Sequence, residues 1–217
     1  MVRPPEFITF TGADDRTELD GMVALSRRYP IEWGILFNPT RQGLIPRFPG
    51  AEALSRFVSG GLRLSAHLCG GYSRAVMERR LGAEPFPVDL RAFARIQVNH
   101  SRPVPAMIEA VGRRWNARGI AQCRGPAFPE DASVDWLYDR SGGRGREPSH
   151  WPPYPGRLAG FAGGIGADNV VAVIAEIAAT GPYWIDMESK VRTDDCFDLA
   201  LCEQVCRAVF PSAGAPG

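Results

Sequence analysis

Lysine is nearly missing from this chain. Of 25 basic residues only Lys190 is not an arginine, so that one position stands out. Histidine is scarce as well: His67, His100 and His150 are all there are. The five cysteines include no CxxC pair, and no histidine lies near Cys196, Cys202 and Cys206. A metal site is therefore not expected, and the CxxxC at Cys202 and Cys206 reads as small buried side chains one turn apart on the last helix. No apolar run reaches the roughly 18 residues that span a bilayer. The opening MVRPPEFITF has no apolar leader segment, which makes the cytoplasm the expected compartment. A net charge of +1 gives no general attraction to nucleic acid or to an anionic membrane.

What is present suits one large globular domain. The chain has 217 residues, 45% of them apolar and 23% charged, enough for a real core. Residues 1–210 are expected to form that domain, with 211–217 (PSAGAPG) a disordered tail. Short β-rich runs alternate with helical patterns about eight times. The runs fall at 7–11, 32–37, 62–69, 93–99, 119–123, 134–138, 158–162 and 183–187. Helices are predicted over 13–28, capped by Asp14 or Asp15, and over 51–58, 72–81, 104–117, 168–179 and 195–210. Only about ten residues separate the fifth run from the sixth, too few for a crossover helix. Residues 141–157 are rich in Gly and Pro and also look non-helical. The alternation predicts an α/β fold: a single (β/α)8 barrel with some crossover helices short or missing. An open, doubly wound parallel sheet is the alternative.

Three successive strand tips in the last third carry the chemistry. They are Asp139 with Ser141-Gly142-Gly143, then Gly163-Gly164-Ile165-Gly166, then Asp186-Met187-Glu188. Glycine-rich turns expose backbone N–H groups and helix N-termini add partial positive charge, so these tips could cradle an anion. In a barrel, catalytic groups sit at the strand C-termini. That places Thr11, Arg47, His67, Cys69, Asn99, His100, Asp139, Asp186 and Glu188 at or near one face. Arg41, Arg102, Arg124, Arg140, Arg144 and Arg192 join them, each either an anion contact or a solvated loop residue. Asp139 could protonate a ligand oxygen or could simply cap its own turn. Asp186 and Glu188, two apart, would point the same way as a carboxylate pair or as arginine partners. His67 reads equally as a core histidine or a catalytic one. His67, Asp139 and Glu188 lack any close-spaced metal motif.

The same stretches resemble the phosphoribosylanthranilate isomerase family of the tryptophan pathway. Phe10–Gly12 is similar to the family's first-strand I-C-G. GILFNP with Arg47-Phe48 is similar to GF-x-F-x-P…R-Y, and IQVNH to V-Q-L-H-G. Tyr138-Asp139 with Gly142-Gly143-Arg144-Gly145 resembles L-D…GG-x-G, AGGIGADNV resembles AGGL-x-P-x-N-V, and IDMESKVR with Asp194-Asp195 resembles VDVSSGVE…KD. The last three, in order and near family spacing, are the specific part.

The resemblance implies a barrel without metal or organic cofactor that performs an Amadori rearrangement of a phosphoribosylamine. Asp139 matches the general acid, Arg47 the arginine that holds the substrate carboxylate, and Gly143, Gly145, Gly163 and Gly164 the phosphate loops. Gln97, Asp186, Glu188 and Lys190 are the further expected substrate contacts. Two positions depart from the pattern. Thr11 stands where the family has its basic cysteine, and a hydroxyl is a far weaker base than a thiolate. Lys190 stands where the eighth-strand loop has glycine; it could pair with a phosphate, fill part of its pocket, or form a Schiff base. The expected ligand is an anionic small molecule, a phosphosugar. The alternatives are a lyase or aldol-type reaction on another anion, and a binding barrel without catalysis.

Overall fold

The computed structural model describes residues 2–81 and 85–211. Eight parallel strands close into a barrel in sequence order: β1 (Phe7–Thr11), β2 (Ile31–Phe37), β3 (Leu64–Leu68), β4 (Arg95–Val98), β5 (Arg118–Cys123), β6 (Asp135–Tyr138), β7 (Ala159–Ala162) and β8 (Tyr183–Met187). The ring closes where β1 pairs with β8, Phe7 opposite Trp184 and Phe10 opposite Met187. That pairing excludes the open sheet. The outer helices are α1 (Leu19–Arg28), α2 (Ala51–Ser59), α3 (Gly71–Met77), α4 (Pro105–Arg114), α5 (Val170–Ile177) and α6 (Leu199–Val209). Among the described residues no α-helix links β5 to β6 or β6 to β7, as the short and Pro-rich connections predict. Most of the expected tail, residues 212–217, lies outside the described residues.

Strand pleat sorts the side chains. Along β1, Ile8 and Phe10 join the large apolar cluster shared with the helices, while Thr9 and Thr11 turn to the barrel axis. The axis is unusually polar. Only Phe7, Ile120, Leu137 and Trp184 make a separate small apolar cluster near its N-terminal end. Beside them Glu32 and Arg95 form a fully buried ion pair at 2.6 Å, with Arg63 also on Glu32 at 3.0 Å. The Arg95 guanidinium lies over the rings of Phe7 and Trp184, at 4.7 and 4.2 Å from their centroids. Burial works against the Glu32 charge, but the two arginines overcome it and hold the carboxyl below its usual range.

Two predicted helices begin late. The 13–28 helix starts at Leu19, and neither Asp14 nor Asp15 caps it. Asp14 is used at long range instead: it accepts from the Phe197 N–H at 2.8 Å and from the buried Arg192 guanidinium at 2.9 Å. The 195–210 helix starts at Leu199, where Asp198 accepts from the N–H groups of Ala200 and Leu201. Residues ahead of it form a hairpin, β9 (Arg192–Thr193) with β10 (Cys196–Phe197), turned by Asp194 and Asp195 at φ 50° and 57°. A two-residue hairpin turn of type I′ needs positive φ at both centres, which Asp tolerates. Cys202 and Cys206 are buried on α6, but Cys196 belongs to this hairpin. The 104–117 and 168–179 helices end early as well, closed by the left-handed residues Asn116 and Ala178.

Candidate active site

The C-terminal ends of the strands surround a cleft. Thr11, Gln97, Asp139, Gly143, Gly145, Gly163, Gly164, Asp186, Glu188 and Lys190 all line it, together with His67 and Asn99. The structure thus gathers residues from six strand ends. Cys69 and His100 lie outside the cleft, as does Arg47, which lines an adjoining cleft that shares Asn99, Gln122, Gly143 and Glu188 with the first. Its guanidinium binds Glu188 at 2.8 Å and Asp195 at 3.1 Å. A ligand carboxylate would have to compete with both.

Asp186 is the most perturbed of these groups. It is 5% exposed, lies near the end of β8, and accepts a hydrogen bond from the Thr11 hydroxyl at 2.8 Å. Burial raises its pKa to about 8; the Thr11 hydroxyl opposes this and nearby Glu188 adds to it. Glu188 follows the end of the strand and shares the cleft. Burial pushes its carboxyl up against the pull of Arg47. His67 is 2% exposed on β3, and burial lowers its pKa to about 3, so it is neutral. Cys69, a candidate base by position, is held as a thiol, with burial raising it to about 12.

Asp139 both faces the cleft and ties its own loop. One oxygen accepts from the Ser141 hydroxyl at 2.8 Å and from the Gly142 N–H at 3.0 Å, and the other accepts from the Gly143 N–H. Those bonds fix the carboxyl's direction at the lip of the cleft. Across from it, Gly163 and Gly164 turn at φ 123° and 64° beneath the backbone of Arg146 and Glu147. A Cβ on Gly164 would lie 2.6 Å from the Glu147 nitrogen, so the segment after β6 closes directly over this turn. Trp151 anchors that segment by packing on Tyr138 and Phe161, in keeping with the expected loop at the site. Among the described residues nothing accepts from the N–H groups of Gly164 and Ile165. Lys190 covers Gly166 with its aliphatic stem, and Asp168 engages its ammonium at 2.7 Å.

Sequence reading passed over Gln122, Ser141 as a cleft wall, and Ser189. Gln122 was within reach of strand alternation, since Gln122 and Ile120 share the inner side of β5. Gly34 was missed too. A Cβ there would fall 2.3 Å from Thr11 Oγ1 and 3.0 Å from His67 Nε2. Gly34→Ala is expected to push Thr11 off Asp186, moving the Asp186 titration further upward while leaving far-ultraviolet circular dichroism unchanged; an unmoved titration would show that the site tolerates the methyl group.

Among the described residues no helix is long and apolar enough to cross a membrane, and no cluster of three or more His, Cys, Asp or Glu is placed to hold a metal ion. No protein-family model and no curated protein sequence matches the chain. Solved structures do. The phosphoribosyl anthranilate isomerase from Thermus thermophilus matches at TM-score 0.61 and 19% identity, over 94% of this chain and 98% of that one. The N-(5'-phosphoribosyl)anthranilate isomerase from Pyrococcus furiosus matches at TM-score 0.59 and 18% identity, over the same shares. A truncated 3-deoxy-D-arabino-heptulosonate 7-phosphate synthase from Thermotoga maritima matches at 0.55 and 12%, over 94% of this chain and 84% of that one. At these identities the likeness establishes the barrel fold, which hosts more than one reaction.

Proposed function

We propose that the protein is an isomerase of a phosphorylated sugar derivative, working by an Amadori-type aldose-to-ketose rearrangement like that of phosphoribosylanthranilate isomerase. One observation carries the reading: the Thr11–Asp186 pair sits in the same cleft as Asp139 and the glycine turns. Such a rearrangement needs an acid for the ring oxygen and a base for the proton on C2. Asp139 serves as the acid. Thr11 alone cannot be the base, but Asp186, poised at about 8, has nearly the proton affinity of a cysteine thiol. Asp186 therefore takes over the task of the cysteine that this chain lacks, with Thr11 holding its carboxyl in place. The unpaired N–H groups of Gly164 and Ile165 suit a phosphate, and Lys190, held by Asp168, lines the same cleft. No resident metal or organic cofactor is part of this scheme.

The test is loss of phosphoribosylanthranilate fluorescence with purified protein. Turnover is expected, and Asp139→Asn is expected to lower kcat by ~10³-fold. No turnover in either the unmodified protein or Thr11→Cys would remove the reading.

A further inference from the structure

Two polar atoms at the base of the cleft have no partner. Among the described residues nothing bonds to Nε2 of His67 or to Oε1 of Gln97, although both are buried and their side chains line the cleft. Buried polar atoms are rarely left so. Their identities as donor and acceptor follow from their neighbours. Asn99 donates through Nδ2 to the Cys69 sulfur at 3.2 Å, which leaves its Oδ1 facing Gln97. Gln97 donates through Nε2 to that oxygen at 2.9 Å, and the same nitrogen sits 3.3 Å from His67 Nδ1. An amide nitrogen only donates, so Nδ1 is the acceptor of the imidazole. The ring's single proton then resides on Nε2. The unpaired atoms are thus one donor and one acceptor, on neighbouring strands whose residues are in register.

We propose that His67 Nε2–H and Gln97 Oε1 form a recognition pair for a single ligand hydroxyl, the one on the carbon that Thr11 and Asp186 serve. Only a group that both accepts and donates satisfies the two atoms. A carbonyl leaves Oε1 bare, an ammonium leaves Nε2–H bare, and an anion meets the Oε1 lone pairs. The location selects the hydroxyl. Thr11 Oγ1 and His67 Nε2 would lie 2.3 and 3.0 Å from a Cβ placed on Gly34, so the Thr11–Asp186 pair and the imidazole are neighbours in the wall of one cleft. In an aldose-to-ketose conversion the carbon losing its proton carries the hydroxyl that becomes the ketone. Held between a neutral imidazole donor and an amide acceptor, that oxygen is kept in place while its carbon is deprotonated. His67 is here a specificity residue, built to reject a ligand lacking this hydroxyl. The assignment of the hydroxyl to the reacting carbon rests on the isomerase reading; the donor–acceptor pair itself does not.

Calorimetric titration with ribose 5-phosphate and with 2-deoxyribose 5-phosphate tests the pair. The deoxy compound is expected to bind about tenfold or more weaker, with the ratio falling to near one in His67→Phe. Equal affinities in the unmodified protein, or a ratio that survives the substitution, would overturn the proposal while leaving phosphosugar binding intact. Because His67→Phe risks unfolding, the ratio is also measured in Gln97→Leu, where the same collapse is expected. The tautomer of His67 is read separately, without ligand, from long-range ¹H–¹⁵N correlations. A proton on Nε2 supports the pair, and a proton on Nδ1 overturns it whatever binds. If neither sugar phosphate binds, the phosphosugar reading fails, and the tautomer alone decides.

Discussion

Asp186→Asn is expected to lower kcat by ~10³-fold and at the same time to make the protein more stable. The two effects have one cause. The cleft keeps a carboxyl where its charge is costly, and asparagine keeps the shape and the acceptor for Thr11 without the charge. The pH dependence follows from the direction of the shift. A carboxyl raised to about 8 in the folded state binds a proton that the unfolded chain has released above about 4. Folding of the unmodified protein therefore loses stability as pH rises from about 4 to about 8, and the loss then levels off. The asparagine variant would escape that loss. The gain in Tm should be close to zero near pH 4 and reach several degrees at pH 8, read by calorimetry on both proteins. A gain that shrinks with rising pH would contradict the shift. The rate carries the same signature: a base with this affinity makes kcat/KM rise with pH up to about 8.

The second large effect concerns stability. Arg95→Leu is expected to cost about 3 kcal/mol, because it leaves Glu32 buried with only the half-exposed Arg63 and the Thr9 hydroxyl as partners. The variant would also forfeit the stacking on Phe7 and Trp184. Adding Glu32→Leu should restore much of the loss, since the uncompensated charge is then gone. Urea unfolding of both single variants and the double variant measures this, and an Arg95→Leu cost below about 1 kcal/mol would show that the pair contributes little. Arg95 also lowers and Glu32 raises the Asp186 carboxyl, so Arg95→Leu should move that titration upward and Glu32→Leu downward.

The barrel was legible because its strands are written plainly. β1 and β8 fall where FITFT and YWIDM predict, and the missing helices follow from the short and Pro-rich connections. The glycine turns after β6 and β7 were readable for the same local reason: glycine is needed where φ is positive. Helix starts were less legible, because an Asp ahead of an apolar run can serve distant partners instead. Asp14 reaches Phe197 and Arg192, 183 and 178 residues away, and so does not cap α1. The hairpin at 192–197 was hidden by residues that also suit a helix. Within the site, the gathering of side chains at the strand ends came from strand order, and Gln97, Gly145 and Lys190 from the resemblance. Their proton affinities did not. That Asp186 titrates near 8 depends on how completely β1, β8 and Glu188 enclose it, and that His67 is neutral depends on packing across β2 to β4. The pairing of Glu32 with Arg95 likewise exists only once two strands 63 residues apart lie near each other across the barrel.

A carbon-13 titration of the aspartate carboxyls, with Asp186→Asn identifying the resonance, tests the account most directly. The account predicts that Asp186 takes up its proton with a midpoint near 8, and that Thr11→Val moves this midpoint upward by removing the hydroxyl's hydrogen bond. A midpoint below about 5, close to the ordinary carboxylate range, would mean that the cleft holds an unshifted carboxylate, and the base that replaces the missing thiol would not be Asp186.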